Sequence, residues 1–204
     1  MIKHGRFWFP SSDTHFKDRL NENGYYQEDT FIAGLEYCKQ KRCFVDVGAH
    51  VGMWSVKAAD VGFKTIYAYE PVIEHWKCYT RNLADIDCNV QLFNVMLGNG
   101  GVGKMEQFMA GNGGALKTVE GQGNTTIYRL DDIFPAEQPI DLMKLDVEGF
   151  EKNILEGGRE LILRHKPVIV VEQKHNIDAI HYLKGLGAHF VKNVRKDYIF
   201  KWEK

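Results

Sequence analysis

Short apolar runs alternate with helical periodicities along most of the chain. Residues 43–47 ("CFVDV"), 65–69 ("TIYAY"), 89–95 ("NVQLFNV"), 140–147 ("IDLMKLDV") and 167–173 ("PVIVVEQ") have the length and the β-branched or aromatic character of strands. Between them, residues 53–61, 72–84, 150–157, 159–165 and 177–187 read as helices. Residues 30–39 ("TFIAGLEYCK") form a further amphipathic pattern ahead of the first strand, with Phe31, Leu35 and Cys38 on one face. This alternation predicts an α/β fold, with a mostly parallel sheet covered by helices on both faces. The last two apolar runs, 188–194 ("AHFVKNV") and 197–202 ("DYIFKW"), are close enough for an antiparallel hairpin at or near one edge of that sheet.

Two regions depart from the rhythm. Residues 1–28 are polar, aromatic and irregular, broken by Pro10 and Gly24, and read as an N-terminal arm on a single domain spanning 1–204. Residues 98–123 hold nine glycines, so many that they read as an insertion. Within it "KMEQFMA" resembles a strand entering a turn at Asn112-Gly113, where a positive φ is easily adopted. This hairpin is either a mobile surface feature or a flap over a site.

Composition narrows the class. With 204 residues, 44% hydrophobic and 26% charged, the chain can bury a sizeable core. A net charge of −1 offers no global field for nucleic acid or an anionic membrane, and neither partner is expected. No apolar run approaches membrane-spanning length, and residues 1–13 lack the apolar core of a signal peptide. Cys38, Cys43, Cys78 and Cys88 follow no disulfide or metal spacing, which points to reduced thiols and a cytoplasmic protein. His75 and Cys78 are spaced like half a metal site, but no second half is apparent.

Candidate chemistry begins at "FVDVGAHVG", residues 44–52. A strand, a glycine turn and a helix start follow one another, the arrangement that faces a ligand in open parallel sheets. Gly48 and Gly52 allow close backbone approach. The third glycine of a dinucleotide fingerprint is missing, and Asp46 would repel a pyrophosphate but attract an ammonium group. The second strand ends at Glu70-Pro71, where a carboxylate can accept hydrogen bonds from ribose hydroxyls. A cationic nucleoside therefore fits better than NAD.

Asp46, the glycines and Glu70 together resemble the S-adenosylmethionine site of Rossmann-like methyltransferases. That resemblance implies that Asp46 and the backbone through Gly48, Ala49, His50 and Gly52 hold the methionine end. It further implies that Glu70 and Pro71 meet the ribose, with adenine near Asn94, Val95 and Met96, and that Asp146 at the end of a later strand stands beside the cofactor. In order along the chain, "VDVGAHVG", "YAYEP", "YRLDDIF", "LMKLDVEGFE" and "KPVIVVEQ" are similar to the pattern of the FkbM family of S-adenosylmethionine-dependent methyltransferases, over residues 44–173. The family resemblance implies a doubly wound, seven-stranded sheet whose last strands are antiparallel. It also implies O-methylation of a sugar or another small polyhydroxyl or glycan acceptor.

A hydroxyl nucleophile benefits from a general base. Asp146, Glu148, Glu172 and His175 stand at strand ends and are the candidates, with Asp146 preferred as the substrate-facing group. Glu148 has an alternative role as an acid favoured at the start of the helix that follows. Lys144, mid-strand among apolar residues, calls for a buried partner, and Asp46 on the neighbouring strand is the nearest acid. Carboxylates of this kind suit Mg²⁺ or Ca²⁺, but the spacing fixes no ligand set and no metal is expected. RNA 2′-O-methylation and a nucleoside-binding module without transferase activity are the alternatives.

Overall fold

The computed structural model describes residues 1–13, 15–16, 19–20, 22–108, 116–173 and 177–203. Two expectations, the turn at Asn112-Gly113 and the placement of His175, lie outside the described residues.

The chain opens with a hairpin of β1 (Ile2–His4) and β2 (Phe7–Phe9), followed by α1 (Glu28–Leu35). It then winds outward through β3 (Cys43–Val47), α2 (Met53–Asp60), β4 (Thr65–Tyr69), α3 (Ile73–Asn82) and β5 (Asn89–Phe93). Next come β6 (Met96–Leu97), β7 (Val102–Gln107), β8 (Leu116–Glu120), β9 (Thr125–Tyr128) and the short α4 (Leu130–Ile133). The chain returns to the sheet with β10 (Leu142–Leu145), α5 (Glu151–Gly157), α6 (Arg159–His165) and β11 (Val168–Glu172). It closes with α7 (Asp178–Gly185), β12 (His189–Val194) and β13 (Asp197–Lys201).

The central sheet has seven strands in the order β12-β13-β11-β10-β3-β4-β5. Burial follows position in the sheet. Every residue of β3, β10 and β11 is buried, as a strand covered on both faces requires, whereas no residue of the edge strands β5 and β12 is. β3 starts at the centre, and the chain moves out to β5 before returning to β10 on the other side of β3. Strand order reverses there, so the crevice above β3 and β10 is the ligand position expected for such a sheet.

Alternation along the strands sorts side chains into two cores. Phe44, Ile66, Leu142 and Val170 meet α1, α2 and the N-terminal hairpin on one face, with Phe31, Trp54 and Phe63. Val45, Tyr67, Met143 and Ile169 meet α4 to α7 on the other, with Leu130, Leu155 and Ile162.

Four expectations are refined. Residues 1–28 are not irregular throughout, because Phe7 and Phe9 alternate with Trp8 as a strand and both phenylalanines are fully buried. Three-residue strands are too short to show a period in sequence. The helix expected over 30–39 starts at Glu28 and ends at Leu35, with turns beyond. The glycine-rich stretch is part of a four-stranded sheet, β6-β9-β7-β8, in which β7 and β8 pair antiparallel from Gly103↔Glu120 to Gln107↔Leu116. Gly157 seats this unit on α5: a Cβ there would lie 1.9 Å from the Gly98 carbonyl oxygen. In the terminal hairpin the last strand, β13, is interior, lying antiparallel between β11 and β12. Among the described residues no helix is long and apolar enough to cross a membrane.

Because Phe9 packs against Phe7 and Phe16 in the core, the N-terminal hairpin should be integral to stability. Phe9→Ala is expected to cost about 3–5 kcal/mol in urea unfolding, the range for truncating a buried aromatic. A cost below about 1 kcal/mol would show the hairpin to be dispensable.

Candidate functional site

A cleft opens above the carboxyl ends of β3, β4, β10 and β11 and, with the open solvent at its mouth included, spans about 1100 Å³. Its floor is the β3–α2 turn. Gly48 adopts φ 75°, and a Cβ there would sit 2.0 Å from the Asp146 carbonyl oxygen, so the turn passes directly against the end of β10. The Gly48 and Ala49 N–H groups both donate to the Tyr69 carbonyl, at 3.1 and 3.2 Å, which ties the same turn to the end of β4.

Below this floor lies a charged group of side chains. Lys144 and Asp46 are register partners, so their side chains leave the sheet on the same face. Lys144 Nζ donates to the Gly48 carbonyl at 3.1 Å and lies 3.7 Å from Asp46 Oδ1 and 3.5 Å from Asp146 Oδ2. Ser55 Oγ donates to Asp46 Oδ2 at 2.7 Å. Burial opposes the Lys144 charge, but Asp146 and Asp46 outweigh it and lift its pKa above the ordinary lysine value. Burial raises the Asp46 pKa against the pull of Lys144 and Ser55. Asp46 was expected to meet a ligand ammonium directly. Instead its carboxylate is completely buried, engaged by Ser55 and Lys144, and it does not line the cleft.

Glu70 does line the cleft, although only 4% exposed. Its Oε2 accepts the His50 N–H at 2.8 Å. Its Oε1 accepts the Val72 N–H at 2.9 Å and faces His75 Nδ1 at 3.2 Å. Burial disfavours the charged carboxylate, but these donors and the two imidazoles more than offset it and hold the Glu70 pKa below its usual value. Ala49, His50, Pro71, Val95 and Met96 also line the cleft. Asn94 and Gly52 do not: the Asn94 amide donates to the Glu70 carbonyl at 2.9 Å, and Gly52 packs under Tyr79 and Leu83.

Opposite Glu70, the side chains of Asp146, Glu148 and Glu172 converge. One carboxylate oxygen from each lies within 4.8 Å of the others, an oxygen-rich set that could hold a hard divalent cation. Tyr26 also lines this part of the cleft; burial first, then Asp146 and Glu172, raise its phenol pKa. The helix-start role considered for Glu148 is filled by Glu151, whose Oε1 accepts the Val147 and Gly149 N–H groups at 3.3 and 3.0 Å. Glu148 stands one turn earlier at φ 54° and lines the cleft.

Several contributors were not legible in sequence. Ser55 is an ordinary helix residue until α2 is packed on β3. Asp197 faces Glu172 across the β11–β13 pair and accepts a hydrogen bond from Thr30 Oγ1 at 3.4 Å. Two more walls come from elements distant in sequence: His15, Phe16 and Gln27 from the N-terminal segment, and Met105, Leu116 and Thr118 from the β7–β8 hairpin. The available signal was parity. Asp46, Lys144, Glu172 and Asp197 all fall on the sheet face of Phe44, Leu142, Val170 and Ile199.

Burial, with Asp146 adding to it, pushes the Asp197 pKa up to about 7, against Lys144 and Thr30. The folded chain therefore holds this proton more tightly than the unfolded one, and stability falls as pH rises from about 4 to about 7. Asp197→Asn is expected to remove that fall. In unfolding series across this window, the variant should lose less stability than wild type, by an amount on the order of 4 kcal/mol at most. Parallel curves for the two proteins would contradict this assignment.

No curated protein matches the chain by sequence. Among solved structures, the methyltransferase FkbM of Methylobacillus flagellatus KT superposes with a TM-score of 0.58 at 18% identity, over 80% of this chain and 44% of that one. This chain thus spans less than half the length of that protein. The precorrin-6y C5,15-methyltransferase of Geobacter metallireducens GS-15 gives 0.54 at 17% identity, covering 97% and 94%. Sp1610 of Streptococcus pneumoniae, solved in complex with S-adenosyl-L-methionine, gives 0.52 at 13%, covering 85% and 70%. At these identities the likeness is one of fold. The sequence model of the methyltransferase FkbM domain matches residues 46–194, the span that carries the strands, turns and carboxylates of the cleft. This chain belongs to the FkbM family of methyltransferases.

Proposed function

We propose that the cleft binds S-adenosylmethionine and directs O-methylation of a sugar or another small polyhydroxyl acceptor. The observation that carries this reading is the opposition of two carboxylate sites across one cleft. Glu70 stands at the end of β4 beside a turn too tight for a Cβ, and Asp146, Glu148 and Glu172 stand at the ends of β10 and β11. The donor set fits the cofactor. Glu70 suits ribose hydroxyls, the bare backbone at Gly48 admits close approach, and Pro71, Val95 and Met96 offer apolar contact for a base. A related fold, that of Sp1610, holds the same cofactor.

Bound S-adenosylmethionine supplies an electrophilic methyl group on a sulfonium. The chain's own residues orient the acceptor and take its proton. Asp146 lies nearest the floor and accepts the hydroxyl proton, while Glu148 and Glu172 hold neighbouring hydroxyls of a polyol. Asp46 acts from beneath the floor, through Lys144, rather than by touching the ligand. Positioning in a cleft walled by the N-terminal segment and the β7–β8 hairpin supplies most of the rate. All four cysteines are free thiols, which suits a reducing, cytoplasmic setting.

Calorimetry with S-adenosylhomocysteine tests the cofactor assignment. Wild type should bind it, and Glu70→Gln should bind about 1.5–3 kcal/mol more weakly, the scale for a hydrogen bond to a charged group. Failure of wild type to bind would refute the assignment. Asp146→Asn should retain binding while its turnover on a sugar acceptor falls by roughly 10²–10⁴, the usual contribution of a general base. Undiminished turnover would remove Asp146 from the chemistry.

A further inference from the structure

Four ionisable side chains run in a line from the N-terminal segment to Glu70. Asp13 is 1% exposed; its Oδ1 accepts the His15 N–H at 2.9 Å, and its Oδ2 lies 3.6 Å from His50 Nε2. The His50 ring meets His75 edge-on, with centroids 4.2 Å apart, and Phe16 covers it at 5.1 Å. His75 Nδ1 then faces Glu70 Oε1 at 3.2 Å. Neither ring nitrogen of His50 nor Oδ2 of Asp13 has a hydrogen-bond partner among the described residues; burial, then His75, lower the His50 pKa, so Asp13 faces an imidazole held toward its neutral form. Burial disfavours the charged Asp13 carboxylate, but His50 and the His15 N–H more than offset it.

His50 also carries strain. Its φ is 51°, in the left-handed region that residues with a Cβ adopt at a cost. That conformation aims the His50 N–H at Glu70 Oε2. A strained residue persists where its surroundings hold it, and here they are Asp13, Phe16 and His75. Glu70 is an acceptor only, with about four lone-pair sites. Two donors at Oε1 and one at Oε2 fill three of them, leaving a single site on Oε2 for a ligand. The direction of that last lone pair depends on the His50 turn.

We propose that Asp13 and His50 are positioning residues for ribose recognition: Asp13 clamps the imidazole, the imidazole holds the left-handed turn, and the turn aims the remaining acceptor site of Glu70. This rests on the reading that the cleft takes a nucleoside. It also gives the N-terminal segment a role in ligand selection beyond that of a wall.

The test compares S-adenosylhomocysteine with its 2′,3′-dideoxy analogue by calorimetry, on wild type, Asp13→Ala and Asp13→Asn. Asp13→Ala should lose roughly tenfold in affinity for S-adenosylhomocysteine, the scale of one hydrogen bond, and bind the dideoxy analogue as wild type does. Asp13→Asn keeps an oxygen for the His15 N–H and turns its amide NH2 toward His50 Nε2, which can accept in the neutral ring, and should restore affinity. Equal losses for both ligands, or none for either, would overturn the proposal. Should Asp13→Ala fail to fold, His50→Asn and His50→Val make the same comparison. Asparagine tolerates the left-handed turn and should bind S-adenosylhomocysteine more tightly than valine does, with no such gap for the dideoxy analogue. Equal affinities of these two variants would overturn it as well. Wild type that binds neither ligand refutes the nucleoside reading instead.

Discussion

A buried ammonium group holds the floor of the cleft together. Lys144 projects from the centre of the sheet onto the face where Asp46 also emerges, and its Nζ reaches Asp46, Asp146 and the Gly48 carbonyl. Each group would be costly to bury alone; an uncompensated interior charge costs several kcal/mol. Together they offset one another's charge and join the β3 end, the turn above it and the β10 end into one unit. The Gly48 turn cannot drift, since its carbonyl is bonded below and its α-carbon lies against the Asp146 backbone. From this fixed point the chain passes through His50 and delivers a backbone N–H to Glu70.

The rest of the cleft divides around that anchor. On one side, three carboxylates from two strand ends gather near Lys144, with Asp197 behind them. On the other, the acid at the end of β4 is surrounded by donors, and the surface beyond it turns apolar through Val95, Met96 and Leu97. Both halves are completed by elements that are no part of the seven-stranded sheet. The scaffold thus supplies the polar chemistry, while the N-terminal segment and the inserted sheet supply much of the shape.

The parts of this molecule that were readable in sequence are those with strong local patterns. "VIVVE" could only be an interior strand, and "VDVGAHVG" combined a strand, a tight turn and a helix start within a few residues. Lys144 was readable because a lysine amid apolar neighbours needs an acid, and strand adjacency made that acid Asp46. The same logic did not show that Asp46 is covered, because parity gives the face a side chain leaves from but not that Ser55 of α2 and Lys144 close over it. Asp13 and Ser55 gave no signal at all; Asp13 acts from a segment folded over the turn, and Ser55 only once α2 packs on β3. The β1–β2 hairpin and β6 were too short to display a period, and β9 was hidden by the glycines before it.

The interior position of β13 has a consequence for how the molecule assembles. β12 touches the sheet only through β13, which follows it in the chain. Without β13 in place, the outer rim of β11 would keep its peptide groups unpaired. That rim is a fully apolar row ending in Glu172, the kind of surface that attracts a second chain edge to edge. Asp197 leads β13 into this gap and pairs with Glu172, so the step that closes the rim also sets the last acid behind the cleft. Coverage of the β11 rim and placement of Asp197 thus follow from one strand pairing.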